Sequence, residues 1–289
     1  MSPNMLGALM MMVSMACFTL NDALLKLVSG SVPLFQLIFL RSAVTSLLIV
    51  GTQGHLGPMH FNIGRRDWFF ITLRAGTEVV IAYFFLSALV NMPLANVTAI
   101  LQVVPLAVTL ASAVVLREAV GWRRMGAILI GFVGVMLIVK PGAEGFNVWS
   151  VYALVAVFGV TVRDLATRQL SASVPSMTVT LVTALAVMLA AGLASLTEPW
   201  AALEPRTAMM ITGSAVFVLG GYFFSIQVMR TGDVSFTAPF RYTGLVWALV
   251  LGWFVFGDWP GWLTLMGAAI VVGTGIFTFY RERKLASAG

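Results

Sequence analysis

Charged and amide side chains are rare in this chain, and several of them stand inside long apolar runs. A charge at mid-bilayer costs about 2.5–3.5 kcal/mol on insertion scales, so it turns inward and finds a partner. Arg74 and Glu78 are four residues apart and share one face of a helix. They coordinate a zwitterion, or Glu78 carries a proton, or the two neutralise each other as a structural pair. Arg41, midway through another apolar run, either snorkels or pairs with Glu78 from a neighbouring helix. Asn91, Thr98, Gln102, Pro105, Thr109 and Ser112 follow at steps of seven, four, three, four and three, which puts them on one helix face. Such a stripe lines a water-filled pathway or a helix interface. Gln102 is expensive to bury unpaired, and Pro105 frees a backbone carbonyl beside it.

Further along, Ser235, Thr237, Pro239, Arg241, Tyr242 and Thr243 cluster within half a run. Arg241 there either takes a carboxylate or snorkels. Tyr83, Tyr222, Gln227 and Trp247 offer aromatic walls and an amide, or pack as core. Trp149, Trp200, Trp259 and Trp262 stand at run ends, where tryptophan anchors a helix to the interface. The expected substrate-binding set is Glu78, Tyr83, Thr98, Gln102, Tyr222, Gln227, Arg241, Tyr242 and Trp247. Two trios have a different spacing: Thr19, Asp22 and Lys26, and Thr161, Asp164 and Arg168, each three and four apart. In each, the aspartate can pair with the base one turn on. Asp22, Lys26, Asp164 and Arg168 are therefore either neutralised helix ends or a pair of gates.

Enzyme chemistry finds no support. The two histidines, His55 and His60, share one loop, H-E-x-x-H is absent, and no Ser–His–Asp set fits inside a bilayer. Arg230-Thr231-Gly232-Asp233 lacks the first glycine of an intramembrane aspartyl protease motif. Cys17 is the single cysteine, which excludes an internal disulfide and a thiolate metal site. No catalytic residue, metal site or cofactor is expected.

The elements that hold these residues follow from composition. Of 289 residues, 60% are hydrophobic and 10% charged, against roughly 25% charged in an ordinary soluble domain. The net charge of +6 does not signal nucleic acid, because the bases cluster in short loops between apolar runs. The runs give ten spans: Met5–Val28, Pro33–Gly51, Trp68–Leu89, Pro93–Val115, Gly121–Val139, Val148–Thr167, Pro175–Leu196, Thr207–Met229, Val234–Phe256 and Gly261–Tyr280. The first reaches spanning length and lacks a basic leader, so it is expected to be retained. Loops on the N-terminal side carry ten Lys and Arg residues, against three opposite, which predicts both termini in the cytoplasm.

The chain also repeats itself. An offset of 142 lays Thr19–Pro33 on Thr161–Pro175, matching Thr19, Asp22, Ser29, Ser31, Val32 and Pro33, with Lys26 on Arg168. Tyr83-Phe84-Phe85 falls on Tyr222-Phe223-Phe224 at 139, and Gly121-Trp122 on Gly261-Trp262 at 140. Five spans per half is odd, so the second half enters the membrane inverted, as in secondary transporters. The expected fold class is an all-α membrane protein of ten transmembrane helices in two inverted five-helix repeats, divided as 1–142 and 143–289.

Pro105, Glu118 thirteen residues on, and Gly126, Gly131 and Gly134 beyond it carry a family likeness. They resemble the P…GE…G…G signature of the drug/metabolite transporter superfamily, in its EamA-type ten-helix branch, over nearly the whole chain. Arg117 replaces the usual glycine before the acid; the second half keeps Gly257, with Asp258 for the acid and Leu245 where the proline would be. The resemblance implies a bacterial inner-membrane exporter of small amphipathic metabolites, amino acids (including aromatic ones) first, working by alternating access in a site between spans 3, 4, 8 and 9. Nucleosides, vitamins or drugs are the alternatives within the superfamily, and a lipid flippase or membrane enzyme outside it. The expected partners are a small molecule and the lipid bilayer.

Overall fold

Lipid offers no partner to a backbone amide, so an apolar run entering a bilayer closes its hydrogen bonds within itself as a helix. A computed structural model describes residues 3–52, 59–115, 117, 121–140, 147–231 and 234–286, and all regular structure among them is helical. Span 1 is Pro3–Val28, span 2 Leu34–Gly51, span 3 Arg65–Asn91, span 5 Trp122–Val139 and span 6 Val148–Arg168. Span 7 is Ser176–Ser195, span 8 Pro205–Thr231 and span 10 Trp262–Ala286. Span 4 comes in two pieces, Leu94–Leu101 and Val104–Val115, and span 9 in three, Val234–Thr237, a 3-10 turn Ala238–Tyr242, and Thr243–Phe256. Among the described residues eight helices are long and apolar enough to cross a membrane, and spans 5 and 10 hold the shorter apolar stretches Met125–Val139 and Trp262–Thr278.

Sequence punctuation sets the ends. Pro33, Pro93 and Pro175 stand at N-caps, where a missing N–H costs nothing. Pro205 opens span 8 rather than lying in the connection before it. Asn147 Oδ1 accepts from the Trp149 N–H at 3.0 Å and caps span 6. Gly257 ends span 9 at φ 69°, and its counterpart at the 140 offset, Arg117, sits at φ 55°. Both halves thus turn left-handed at the same point; the second half makes the turn with glycine and the first with arginine, against its steric preference. Glu118, beside it, lies outside the described residues, as do His55 and the Gly232-Asp233 pair.

Spans 4 and 9 break at one register. Pro105 has no N–H to give the Leu101 carbonyl. The chain therefore turns at Gln102 and Val103 and restarts when Ala107 N bonds Val103 O at 2.9 Å. Span 9 changes from 3-10 to α geometry at Tyr242 and Thr243, with Pro239 in the 3-10 turn. Offset 140 puts Gln102 on Tyr242, so two different prolines interrupt repeat-related helices at the same level.

The packing follows the repeat. Span 1 packs on span 8 as span 3 packs on span 6, span 3 on 7 as span 8 on 2, span 1 on 9 as span 6 on 4; spans 2 and 7, and 5 and 10, pair as counterparts. The inversion shows at the ends of spans 2 and 7. Gln36, in the first turn of span 2, donates from Nε2 to Ala201 O at 3.0 Å and accepts from Ala201 N at 2.9 Å, beyond the far end of span 7. Thr178, its counterpart in the first turn of span 7, donates to His60 O at 3.0 Å and accepts from His60 N at 3.2 Å, beyond the far end of span 2. The two helices run antiparallel, each pinned to the other half's loop.

Spans 5 and 10 touch backbone to backbone. A Cβ on Gly134 would come within 2.8 Å of Gly267 O, and one on Gly267 would overlap Gly134 O. This close approach is what small residues allow where no hydrophobic drive exists between helices.

Candidate functional site

Spans 3 and 6 carry a cluster of ionic residues between them. The two helices pack along their lengths, and Arg163 of span 6 reaches Glu78 of span 3, Nη1 to Oε2 at 3.2 Å. The same guanidinium donates from Nε and Nη2 to Asp164 Oδ1 at 3.0 and 2.9 Å. One cation thus holds two carboxylates, which lowers the cost of keeping all three out of water. Arg74 turns away from Glu78 and donates from Nη1 to Thr167 Oγ1 at 2.8 Å, so the expected pair within span 3 is not made. The reason is tertiary: packing of span 6 on span 3 delivers the Arg163 guanidinium to Glu78 and Thr167 to Arg74. Arg163 was missed in the sequence, although the cost of a mid-span charge marks it; it hid because its repeat counterpart is Asn21. That counterpart behaves alike, donating from Nδ2 to Asp22 Oδ1 at 2.8 Å.

Beside this cluster a cavity opens between spans 2, 3, 7 and 8. Arg41, Arg74, Glu78 and Tyr222 line it, with hydroxyls from Ser42, Thr45, Thr180 and Thr183. Arg41 Nε and Arg74 Nε are buried and have no hydrogen-bond partner. Arg41 and Thr183 are repeat counterparts, so one half contributes a cation where the other contributes a hydroxyl. Tyr222 meets the Phe18 ring edge-on at 5.4 Å, which fixes its phenol at the wall.

Toward the opposite face from the N-terminus lies a second cavity of about 240 Å³, lined by Tyr83, Ser87, Asn91, Trp149 and Tyr152 among others. Trp149 was expected to be an interfacial anchor; it packs on Tyr152 at 5.0 Å and forms a wall of this cavity.

The remaining expected residues fall elsewhere. Gln102 directs its amide at Gly244, where a Cβ would stand 3.5 Å from Nε2. Thr19 approaches the same place, its Oγ1 2.8 Å from Met15 O and 3.5 Å from Gly244 O. Tyr242 is buried and leans its hydroxyl on Gly275, lining an apolar cavity of about 270 Å³ between spans 4, 9 and 10. Thr98 and Gln227 are half-buried, whereas Arg241 and Trp247 are exposed on the outside of span 9. Within the stripe of span 4, Thr109 bonds back to Pro105 O and Ser112 accepts from Arg168, while Asn91 ends span 3 instead. Glu78 and Tyr222 thus meet at one cavity, Gln102 and Tyr242 belong to the span 4–span 9 contact, and Arg241 and Trp247 join neither.

The two trios do not pair along their own helices. Lys26 Nζ donates to the carbonyls of Leu89, Val90 and Met92 at 2.9, 3.4 and 2.7 Å, capping span 3, and lies 5.6 Å from the Phe256 ring. The last four carbonyls of a helix lack an intrahelical partner, and Lys26 satisfies those ending span 3 instead of pairing with Asp22 one turn back. Arg168 Nη1 donates to Ser112 Oγ at 2.9 Å, and Asp164 is taken by Arg163. Lys26 therefore joins spans 1, 3 and 9 at one face, and Arg168 joins spans 6 and 4 at the other.

Known proteins share this architecture. A crystal structure superimposes with a TM-score of 0.67 at 21% identity, covering 94% of this chain and 96% of that one, which shows the fold. An S-adenosylmethionine uptake transporter of Rickettsia prowazekii (strain Madrid E) is 22% identical over 97% of this chain and 95% of its own length. The pseudopaline exporter CntI of Pseudomonas aeruginosa (strain UCBPP-PA14) is 27% identical over 92% and 93%. A riboflavin transporter of Vibrio cholerae is 31% identical over 67% and 65%. Residues 5–140 and 147–280 each match the EamA-like transporter family, one match per five-helix half, and the chain belongs to that family of membrane transporters.

Proposed function

We propose that the chain moves small zwitterionic or carboxylate-bearing metabolites, amino acids first, across a bacterial inner membrane by alternating access, with both termini cytoplasmic. One observation carries this reading: Arg41 and Arg74, each with a buried unpartnered Nε, face the same cavity as Glu78 and Tyr222. The cavity holds about 40 Å³, so it must widen to admit a solute, and a carboxylate entering the widened space would satisfy both guanidinium donors, as charge-assisted hydrogen bonds do best. Glu78 would then take the ammonium in exchange for part of its bond to Arg163. The cavity sits beside spans 2 and 7, the counterparts pinned at opposite faces by Gln36 and Thr178. Both pins are made in this structure, so units 1–142 and 143–289 rocking about the cavity would release one pin while the other holds. The relatives named above carry chemically different cargo, so the substrate is read from the cavity and not from them.

Counterflow in proteoliposomes against a panel of amino acids, nucleosides and vitamins tests this without presuming direction or driving force. The expected result is exchange of carboxylate-bearing solutes, reduced at least tenfold in Arg41→Gln and Arg74→Gln. Equal exchange of neutral nucleosides in wild type and both variants would refute it, and movement of lipid alone would make the protein a flippase. A C-terminal reporter active only outside the cytoplasm would overturn the orientation.

A further inference from the structure

We propose that the cavity toward the opposite face is a second binding subsite, built for a planar aromatic or heteroaromatic ring. Three of its lining residues are rings held in place by other rings, and Leu34, Leu37 and Val90 complete the apolar wall. Tyr83 stacks on Phe35 at 5.6 Å with planes 13° apart, and Tyr152 is gripped between Trp149 at 5.0 Å and Phe84 at 4.9 Å. The Tyr83 and Tyr152 centroids are 6.2 Å apart with planes tilted by 47°, a contact short of face-to-face stacking, and both rings line the cavity. The space is about 240 Å³; a protein cavity of roughly 150 Å³ takes a benzene ring, so this one has room for a bicyclic. Polar groups gather at one side. Asn91 Nδ2 donates to Ser87 O at 2.8 Å, which fixes the amide and leaves its oxygen to accept from a ring N–H.

The repeat argues that these aromatics are not there to hold the fold together. At offset 142 the counterparts of Trp149 and Tyr152 are Gly7 and Met10. The other half keeps Tyr222 and Phe223 at the span 3 positions but packs without a ring where Trp149 and Tyr152 stand. Tyr83 does keep a counterpart, Tyr222, and that residue lines the central cavity. Aromatic surface has been added in one half, around one cavity, where packing does not call for it.

This inference rests on the proposed transport route only in placing the cavity along it; Tyr83 lies five residues beyond Glu78 on span 3, roughly 7.5 Å along the helix axis. The test uses the full chain in nanodiscs and equilibrium dialysis with labelled adenosine, tryptophan and leucine. Adenosine and tryptophan are expected to bind. Tyr152→Leu and Trp149→Leu should each weaken adenosine at least tenfold and bring tryptophan down to the level of leucine, which keeps only the carboxylate site; Tyr152→Phe should stay within twofold, and leucine should be indifferent to all three. Failure of both planar probes to bind wild type, or binding of both unchanged within twofold in the two leucine variants, overturns the subsite. Arg74→Gln separates the two readings: it should weaken leucine and spare adenosine. Unchanged leucine binding in that variant would refute the carboxylate site while leaving the ring subsite standing.

Discussion

Arg163→Met removes the one cation that holds both Glu78 and Asp164. Breaking a buried ion pair from one side costs about 3–5 kcal/mol, because the partner's charge is left uncompensated. The lower end applies here, since the Arg163, Glu78 and Asp164 side chains keep 21%, 19% and 28% of their surface open. At about 2–4 °C per kcal/mol for a chain of this order of size, the apparent Tm in detergent should fall by roughly 6–12 °C. Glu78→Gln should cost less than half as much, because Arg163 retains Asp164 and the amide still accepts a hydrogen bond. Arg74→Met, which loses one bond to Thr167 and no carboxylate, should cost about 1 kcal/mol. Combining Glu78→Gln with each arginine variant closes the comparison. Coupling between Glu78 and Arg163 should fall in the 0.5–3 kcal/mol range seen for contacting residues, with Arg74 below about 0.5 kcal/mol. The measurement is thermal unfolding followed by fluorescence-detected size exclusion on equal amounts of inserted protein. A larger coupling to Arg74 than to Arg163 would refute the reasoning, since it would restore the pair within span 3.

Three further outcomes follow from the same contacts. Gly267→Ala should lose roughly 1–3 kcal/mol to overpacking against Gly134 O, whereas Gly273→Ala, with nothing within 4 Å of the added Cβ, should be tolerated; equal stability of the two variants would show that spans 5 and 10 do not touch as closely. Arg117→Gly should raise the apparent Tm, because a non-glycine residue in the left-handed region costs roughly 1–2 kcal/mol, partly offset by glycine's greater freedom when unfolded; a lower Tm would mean the arginine side chain contributes more than its backbone loses. Asp22→Asn and Asp164→Asn should bias labelling of cysteines at the two mouths in opposite directions, in a Cys17→Ala background, and equal labelling with unchanged flux would leave these residues as helix ends.

The sequence by itself determined the spans, because a bilayer leaves an apolar run no option but a helix, and it determined the inverted repeat, because five is odd. It also exposed the short list of costly residues, Arg41, Arg74, Glu78 and Gln102 among them, since charge and amide inside lipid are visible without any coordinates. Which of them meet was a tertiary decision. Spacing along one helix offered Arg74 to Glu78 and Lys26 to Asp22. Packing of span 6 on span 3 brought Arg163 to Glu78 instead, and the open carbonyls ending span 3 captured Lys26. A helix of known period fixes neighbours only on its own surface, while the partner of a buried charge is chosen by whichever donor another helix delivers closest. For the same reason Trp149 read as an anchor by its place at a span end, and became a cavity wall only when Tyr83 of span 3 and Tyr152 closed around the same space.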